Sequence, residues 1–192
     1  MAETAARPVP SLSIDEYLCL EEESAFKHEY VAGEIYALAG ASERHNRIAT
    51  NILAQLWNAA GDGGCRVYGS DMRLRIGDDA VYYPDVQVVC DPTDSEEQYT
   101  SSPCVVVEVL SPSTQSIDKR EKLLAYRRLS SLRAYVIVYR DQMRVMRYWR
   151  DKDGTWWDAE VQDQGLVIFP CPDVTLTLDQ IYRGISLPGR PE

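Results

Sequence analysis

The stretch VVVEVLSPST, Val105–Thr114, sets one carboxylate, Glu108, in a run of valines that reads as an inner strand of a sheet. An ionised carboxylate taken out of water is costly unless a partner charge, hydrogen bonds or a metal ion compensates it. A second strand of this kind lies upstream in YYPDVQVVC, Tyr82–Cys90. Side chains alternate faces along a strand, so Asp85, Gln87 and Val89 share one face, and Cys104, Val106, Glu108 and Leu110 share another. If these strands are neighbours and those faces coincide, Asp85 and Glu108 converge on one spot. Two carboxylates held there repel unless one is protonated or a divalent cation sits between them. Oxygen ligands from two strands suit magnesium or manganese, with waters and a substrate phosphate completing the shell.

Downstream, SIDKREKLLAYRRL (Ser116–Leu129) predicts a helix with Ser116 as its cap, and AYVIVY (Ala134–Tyr139) another buried strand. Asp118, Lys122, Ala125 and Leu129 fall on one face of that helix. Packing Ala125 and Leu129 on the sheet would aim Lys122 at the carboxylates. The strand–helix–strand order predicts an α/β (α+β) fold with a mixed sheet.

The rest of the chain supplies flanking elements. Ser13 and Glu16 have capping-box spacing at the start of a short helix, and Ala32-Gly33 marks a turn between two strand-like arms in KHEYVAGEIYALA. Ser42–Ala60 is the clearest amphipathic helix, with Ile48, Ile52, Leu53 and Leu56 at helical spacing and GDGG as its stop. RVYGSDMRLRI and VYYPDVQVVC predict a hairpin; with Ile76 opposite Val81, Asp71 falls opposite Val86 and beside Asp85. Gln142–Val161 predicts a long hairpin turning at DKDG, followed by LVIF, VTLTLDQIY and a loose tail. One domain over 13–185 is expected, with 1–12 and 186–192 as flexible ends.

Composition is that of a globular protein, 45% hydrophobic and 26% charged over 192 residues, and no apolar run approaches the length of a membrane helix. The first ten residues lack the pattern of a signal peptide. Five scattered cysteines without a C-x-x-C pair argue against a structural zinc site and predict reduced thiols in a cytoplasmic protein. A net charge of −10 disfavours non-specific nucleic-acid binding, so any such function needs a local basic groove.

Asp85 in YYPDVQVVC followed by Glu108 in VVVEVLSPST resembles the PD-(D/E)XK nuclease superfamily. The stretches GEIYALAGAS, the His45-Asn-Arg-Ile run, YYPDVQVV, EVLSPST, DKREKLLAYRRL and AYVIVY together resemble the Uma-two (Uma2) family of restriction-endonuclease-like proteins. The resemblance spans most of residues 27 to 140. It implies a restriction-endonuclease-like fold, a central mixed β-sheet flanked by helices with a C-terminal hairpin extension. It also implies metal-dependent phosphodiester hydrolysis with Mg2+, which Mn2+ could replace, held by Asp85, Glu108 and the main-chain carbonyl of Val109. The superfamily's lysine belongs two residues after the second acid, where this chain has Leu110; Lys122 fits the family pattern as a migrated catalytic lysine.

Further candidates are Glu34 as a third acid, His45 on the face of Ile48 and Ile52, and Asp71 across the predicted hairpin. Each has a plain structural alternative: an exposed strand glutamate, a packed histidine, a strand terminator. Arg73, Arg75, Lys119 and Arg120, with Arg66, Arg127 and Arg128 nearby, could frame a phosphate groove. The sequence thus supports an endonuclease acting on DNA as a homodimer, its two sites facing antiparallel strands. The alternative is an inactive nuclease fold that serves as a nucleic-acid- or protein-binding module.

Overall fold

The computed structural model describes residues 12–110 and 118–187. The expected cap Ser116 and most of the two predicted flexible ends lie outside the described residues. The fold is mixed α+β, as the alternation of elements predicts. Among the described residues no helix is long and apolar enough to cross a membrane.

Helix α1 (Ile14–Glu23) starts at the expected capping box, with the Ser13 hydroxyl accepting from the Glu16 N–H and the Glu16 carboxylate accepting from the Ser13 N–H. Strands β1 (His28–Val31) and β2 (Glu34–Ala37) pair through Ala32 and Gly33 at φ 49° and 93°, a left-handed turn that glycine permits without strain. Helix α2 (Glu43–Ala60) is capped by Ser42, ends at Gly61, and buries Ile48, Ile52, Leu56 and Ala60.

The predicted hairpin over 66–90 forms but bends into two pieces. Strands β3 (Arg66–Gly69) and β6 (Val86–Val89) pair in one sheet; β4 (Arg73–Ile76) and β5 (Ala80–Tyr82) pair in another. Ile76 lies across from Ala80 rather than Val81, because Gly77 at φ 56° lets three residues close the turn. Gly69, not Asp71, is the partner of Val86. Asp71 sits on the bend, fully exposed, where it pairs with Lys27.

After β7 (Tyr99–Thr100) and β8 (Val105–Leu110), a π-helical turn (Asp118–Lys122) runs into α3 (Leu123–Arg127), a shorter α-helix than the sequence predicts. Strands β9 (Ala134–Tyr139), β10 (Arg144–Arg150) and β11 (Trp156–Gln162) follow, then β12 (Leu166–Pro170), β13 (Asp173–Thr177) and α4 (Leu178–Ile181). One sheet has the order β2-β1-β5-β4-β7, the central one β11-β10-β9-β8-β6-β3, and β12-β13 stand as a separate pair. β8 and β9 are parallel neighbours buried along their whole length, which accounts for their near-continuous apolar sequence. On one face of the central sheet Val86, Val107, Val109 and Val136 pack with Ile48, Ile52 and Phe169. On the other, Val106, Leu110 and Tyr135 pack with Leu74, Tyr82 and Tyr126.

The cysteines depart from the expectation of reduced thiols. Cys65–Cys90 and Cys104–Cys171 are disulfides, and Cys19 is free and exposed. The register explains the first pair: β3 and β6 match Arg66 with Val89, so the next step outward sets Cys65 across from Cys90. Nothing in the linear spacing signals this.

Ile52 is fully buried between α2 and the central sheet. Ile52→Ala should lower the unfolding free energy by about 3 kcal/mol through lost burial and the cavity left behind, read from urea denaturation midpoints.

Candidate active site

The geometry begins with one register. Strands β6 and β8 are antiparallel with Val86 across from Val107. One step further sets Asp85 across from Glu108, and the next sets Pro84 across from Val109. Proline has no N–H to offer the Val109 carbonyl, so the ladder stops there. The Val109 N–H instead donates to Asp85 Oδ2 at 2.7 Å.

His45, in the first turn of α2, brings Nε2 to 3.2 Å from the same Oδ2. Burial works against a charge on this imidazole, but the Asp85 carboxylate and the Val109 carbonyl outweigh it, and its pKa lies above the ordinary histidine value. Asp85 Oδ1 has no hydrogen-bond partner among the described residues. The open carboxylate oxygen, the Glu108 carboxylate and the Val109 carbonyl form a set of hard oxygen donors of the kind magnesium prefers.

Glu108 meets a second group of side chains. Its Oε1 accepts from the Tyr126 hydroxyl at 2.7 Å and from Lys122 Nζ at 3.1 Å. Lys122 also reaches Glu29 Oε1 at 2.8 Å, an oxygen that accepts from the Tyr83 N–H at 3.3 Å. Glu108 and Lys122 are each 5% exposed and Glu29 8%, so all three charges are buried and depend on one another. Burial first, and the Glu108 charge second, push the Tyr126 phenol well above its usual pKa, which keeps it a donor.

Lys122 thus lies where the sequence argument aims it, arriving from the helical segment rather than from the strand. Leu110, where the sequence resemblance would put a lysine, is packed in the apolar cluster with Tyr126 and Leu129. A charged side chain at 110 would enter that core.

These groups line a cleft of about 750 Å³, within the size range of ligand sites. Asp85, Glu108, Lys122, His45 and Val109 all line it, joined by Glu29, Lys27 and Arg140. Phe26 stands at its wall, 75% exposed. Other candidates fall elsewhere. Glu34 is exposed on the outer strand β2 and accepts from the Tyr36 hydroxyl, and Asp71 lies on the bend. Arg73 donates to the Gln98 carbonyl, and Arg75 pairs with Asp78, so neither lines the cleft. Arg120 is exposed, and the Lys119 side chain lies outside the described ones.

Sequence reasoning missed Glu29. It sought an early carboxylate and took Glu34, five positions on in the same hairpin; the deciding fact is that β1 is an inner strand, paired with both β2 and β5.

The model of the Uma2 family, described as "Putative restriction endonuclease", matches residues 14–181. The chain is a member of that family. Two Synechocystis proteins described as uncharacterized are similar to this Uma2 chain. One is 35% identical over 97% of this chain and 99% of its own length; the other is 34% identical over 82% and 91%. A crystal structure of a protein described as a putative nuclease from Anabaena variabilis superposes with a TM-score of 0.73. It covers 89% of this chain and 97% of its own at 18% identity, a likeness of fold.

Two expectations follow from the charges. The raised His45 pKa means that its pairing with Asp85 contributes stability fully below the unfolded histidine value, about 6.5, and loses it as the pH rises through the folded value. An NMR titration should show the His45 midpoint above that value in the parent and lower in Asp85→Asn. Lys122→Met removes the ammonium that Glu29 and Glu108 share. It should cost about 3 kcal/mol in denaturant unfolding at neutral pH.

Proposed function

We propose that this protein is a metal-dependent endonuclease that hydrolyses DNA phosphodiester bonds. The observation that carries the reading is the pairing of Asp85 and Glu108 across adjacent strands, in a cleft that also holds a buried lysine. Family membership and the nuclease description of the structural neighbour support the same reaction class.

In this reading Asp85, Glu108 and the Val109 carbonyl hold Mg2+, or Mn2+ in its place. The bound ion supplies Lewis acidity toward a phosphate oxygen and lowers the pKa of a coordinated water. Lys122 places its ammonium beside Glu108, where it stabilises negative charge that builds on the phosphate in the transition state. Glu29 keeps Lys122 oriented between two carboxylates. His45 and the Val109 N–H fix the Asp85 carboxylate through its Oδ2.

Substrate binding needs positive charge at the cleft despite the net charge of −10. Arg140, at the lining, and Arg44 share the one carboxylate of Asp141, which leaves a net positive charge there, and Lys27, also at the lining, is offset among the described residues only by the exposed Asp71. The exposed Phe26 ring offers a surface for a base to stack on. Cleavage of both strands of a duplex calls for two such sites, supplied by a homodimer in the cytoplasm.

The test is a nicking and cleavage assay on supercoiled plasmid and on single-stranded DNA with Mg2+ or Mn2+. Asp85→Ala and Glu108→Ala should each lower the rate by at least about 100-fold, and Lys122→Ala by a similar factor. Calorimetry should show Mn2+ binding that Glu108→Gln weakens. Cleavage that persists in both acid variants would sink the assignment. Absence of both cleavage and Mn2+ binding would leave the nucleic-acid- or protein-binding module as the function.

A further inference from the structure

The two disulfides lie in contact, at the far ends of the strands that carry the acids. Cys90 follows β6, which Asp85 precedes, and Cys104 precedes β8, which carries Glu108. Cys90 Sγ is 3.5 Å from Cys104 Sγ. The sulfurs of Cys90, Cys104 and Cys171 all lie within 4.8 Å of one another.

We propose that these four cysteines form a thiol–disulfide exchange site whose substrate is a protein dithiol of the thioredoxin class. Access is graded: Cys65 and Cys90 are partly exposed, whereas Cys104 and Cys171 are 7% and 9% exposed. Beside Cys65 the backbone is open, since a Cβ on Gly64 would meet nothing within 4 Å. The outer disulfide is therefore the more accessible of the two to an external thiolate.

The chemistry runs in three displacements. A thiolate of the external dithiol attacks Cys65 Sγ, and Cys90 leaves as a thiolate. The second thiol of the reductant resolves the mixed disulfide, releasing Cys65 as a thiol and the reductant as its own disulfide. The Cys90 thiolate, freed from Cys65 and 3.5 Å from Cys104 Sγ, turns into line with the Cys104–Cys171 bond and displaces Cys171, which takes a proton from water. One dithiol is oxidised and one protein disulfide is reduced; the product holds Cys90–Cys104 and thiols at Cys65 and Cys171.

The outcome relocates a cross-link. Cys171 sits in the turn between β12 and β13, so its release unties that hairpin from the start of β8. The new bond ties β6 directly to β8. None of this depends on the endonuclease reading.

The test uses the full, air-oxidised chain treated with one equivalent of reduced thioredoxin, quenched with N-ethylmaleimide and mapped by peptide mass spectrometry. Beyond the constant label on Cys19, label is expected on Cys65 and Cys171, together with a linked Cys90–Cys104 peptide. In Cys90→Ser the Cys104–Cys171 bond should open about tenfold more slowly than in the parent. The proposal is overturned by label on Cys65 and Cys90 with Cys104–Cys171 intact, by equal opening rates in Cys90→Ser, or by four free thiols in the air-oxidised chain.

Discussion

The pairing register of β6 with β8 is the constraint on which the cleft depends. Val86 across from Val107 fixes which face each side chain of both strands takes, because the side-chain period of a strand is two residues. A slip of one residue would send Glu108 into the cluster around Ile48 and Ile52, and would expel a valine to the cleft. Both faces of this pair are packed, against α2 on one side and the Tyr82, Tyr126 and Tyr135 side chains on the other. The valines around Glu108 are therefore more than filler: they make every other register costly.

Charge compensation is the second constraint. Glu29 and Glu108 share the single ammonium of Lys122, with the Tyr126 hydroxyl and the Tyr83 N–H as neutral donors. Asp85 is held by a backbone N–H and an imidazole.

Much of this was legible in the sequence, for identifiable reasons. Alternation along VVVEVLSPST groups Val106, Glu108 and Leu110 on one face, Asp85 joins them if its strand is the neighbour, and helical spacing aims Lys122 at them even though it lies in a π-helical turn. Those arguments use short-range periodicity. What escaped was decided by long-range arrangement. Glu29 and Glu34 differ only in that one lies on a strand paired on both sides and the other on an outer strand. The bend that removes Asp71 from the cleft exists because the 66–90 hairpin is divided between two sheets. The cysteine pairs meet through strand register and the placement of the β12–β13 turn, neither of which leaves a mark in the spacing.

Lys122 reaches the cleft from a helical segment while the acids belong to the sheet, and this divides the site into parts of different mechanical character. The positions of the acids are discrete, since a pleated ladder permits no intermediate register. The position of the ammonium is continuous, since a helix can roll or slide by fractions of an ångström against the sheet. A lysine on β8 would have locked both to one backbone. Here substitutions at Ala125, or at Leu129 just past the end of α3, can retune the lysine's reach while the acids stay where they are, so the ammonium and the carboxylates are free to diverge separately.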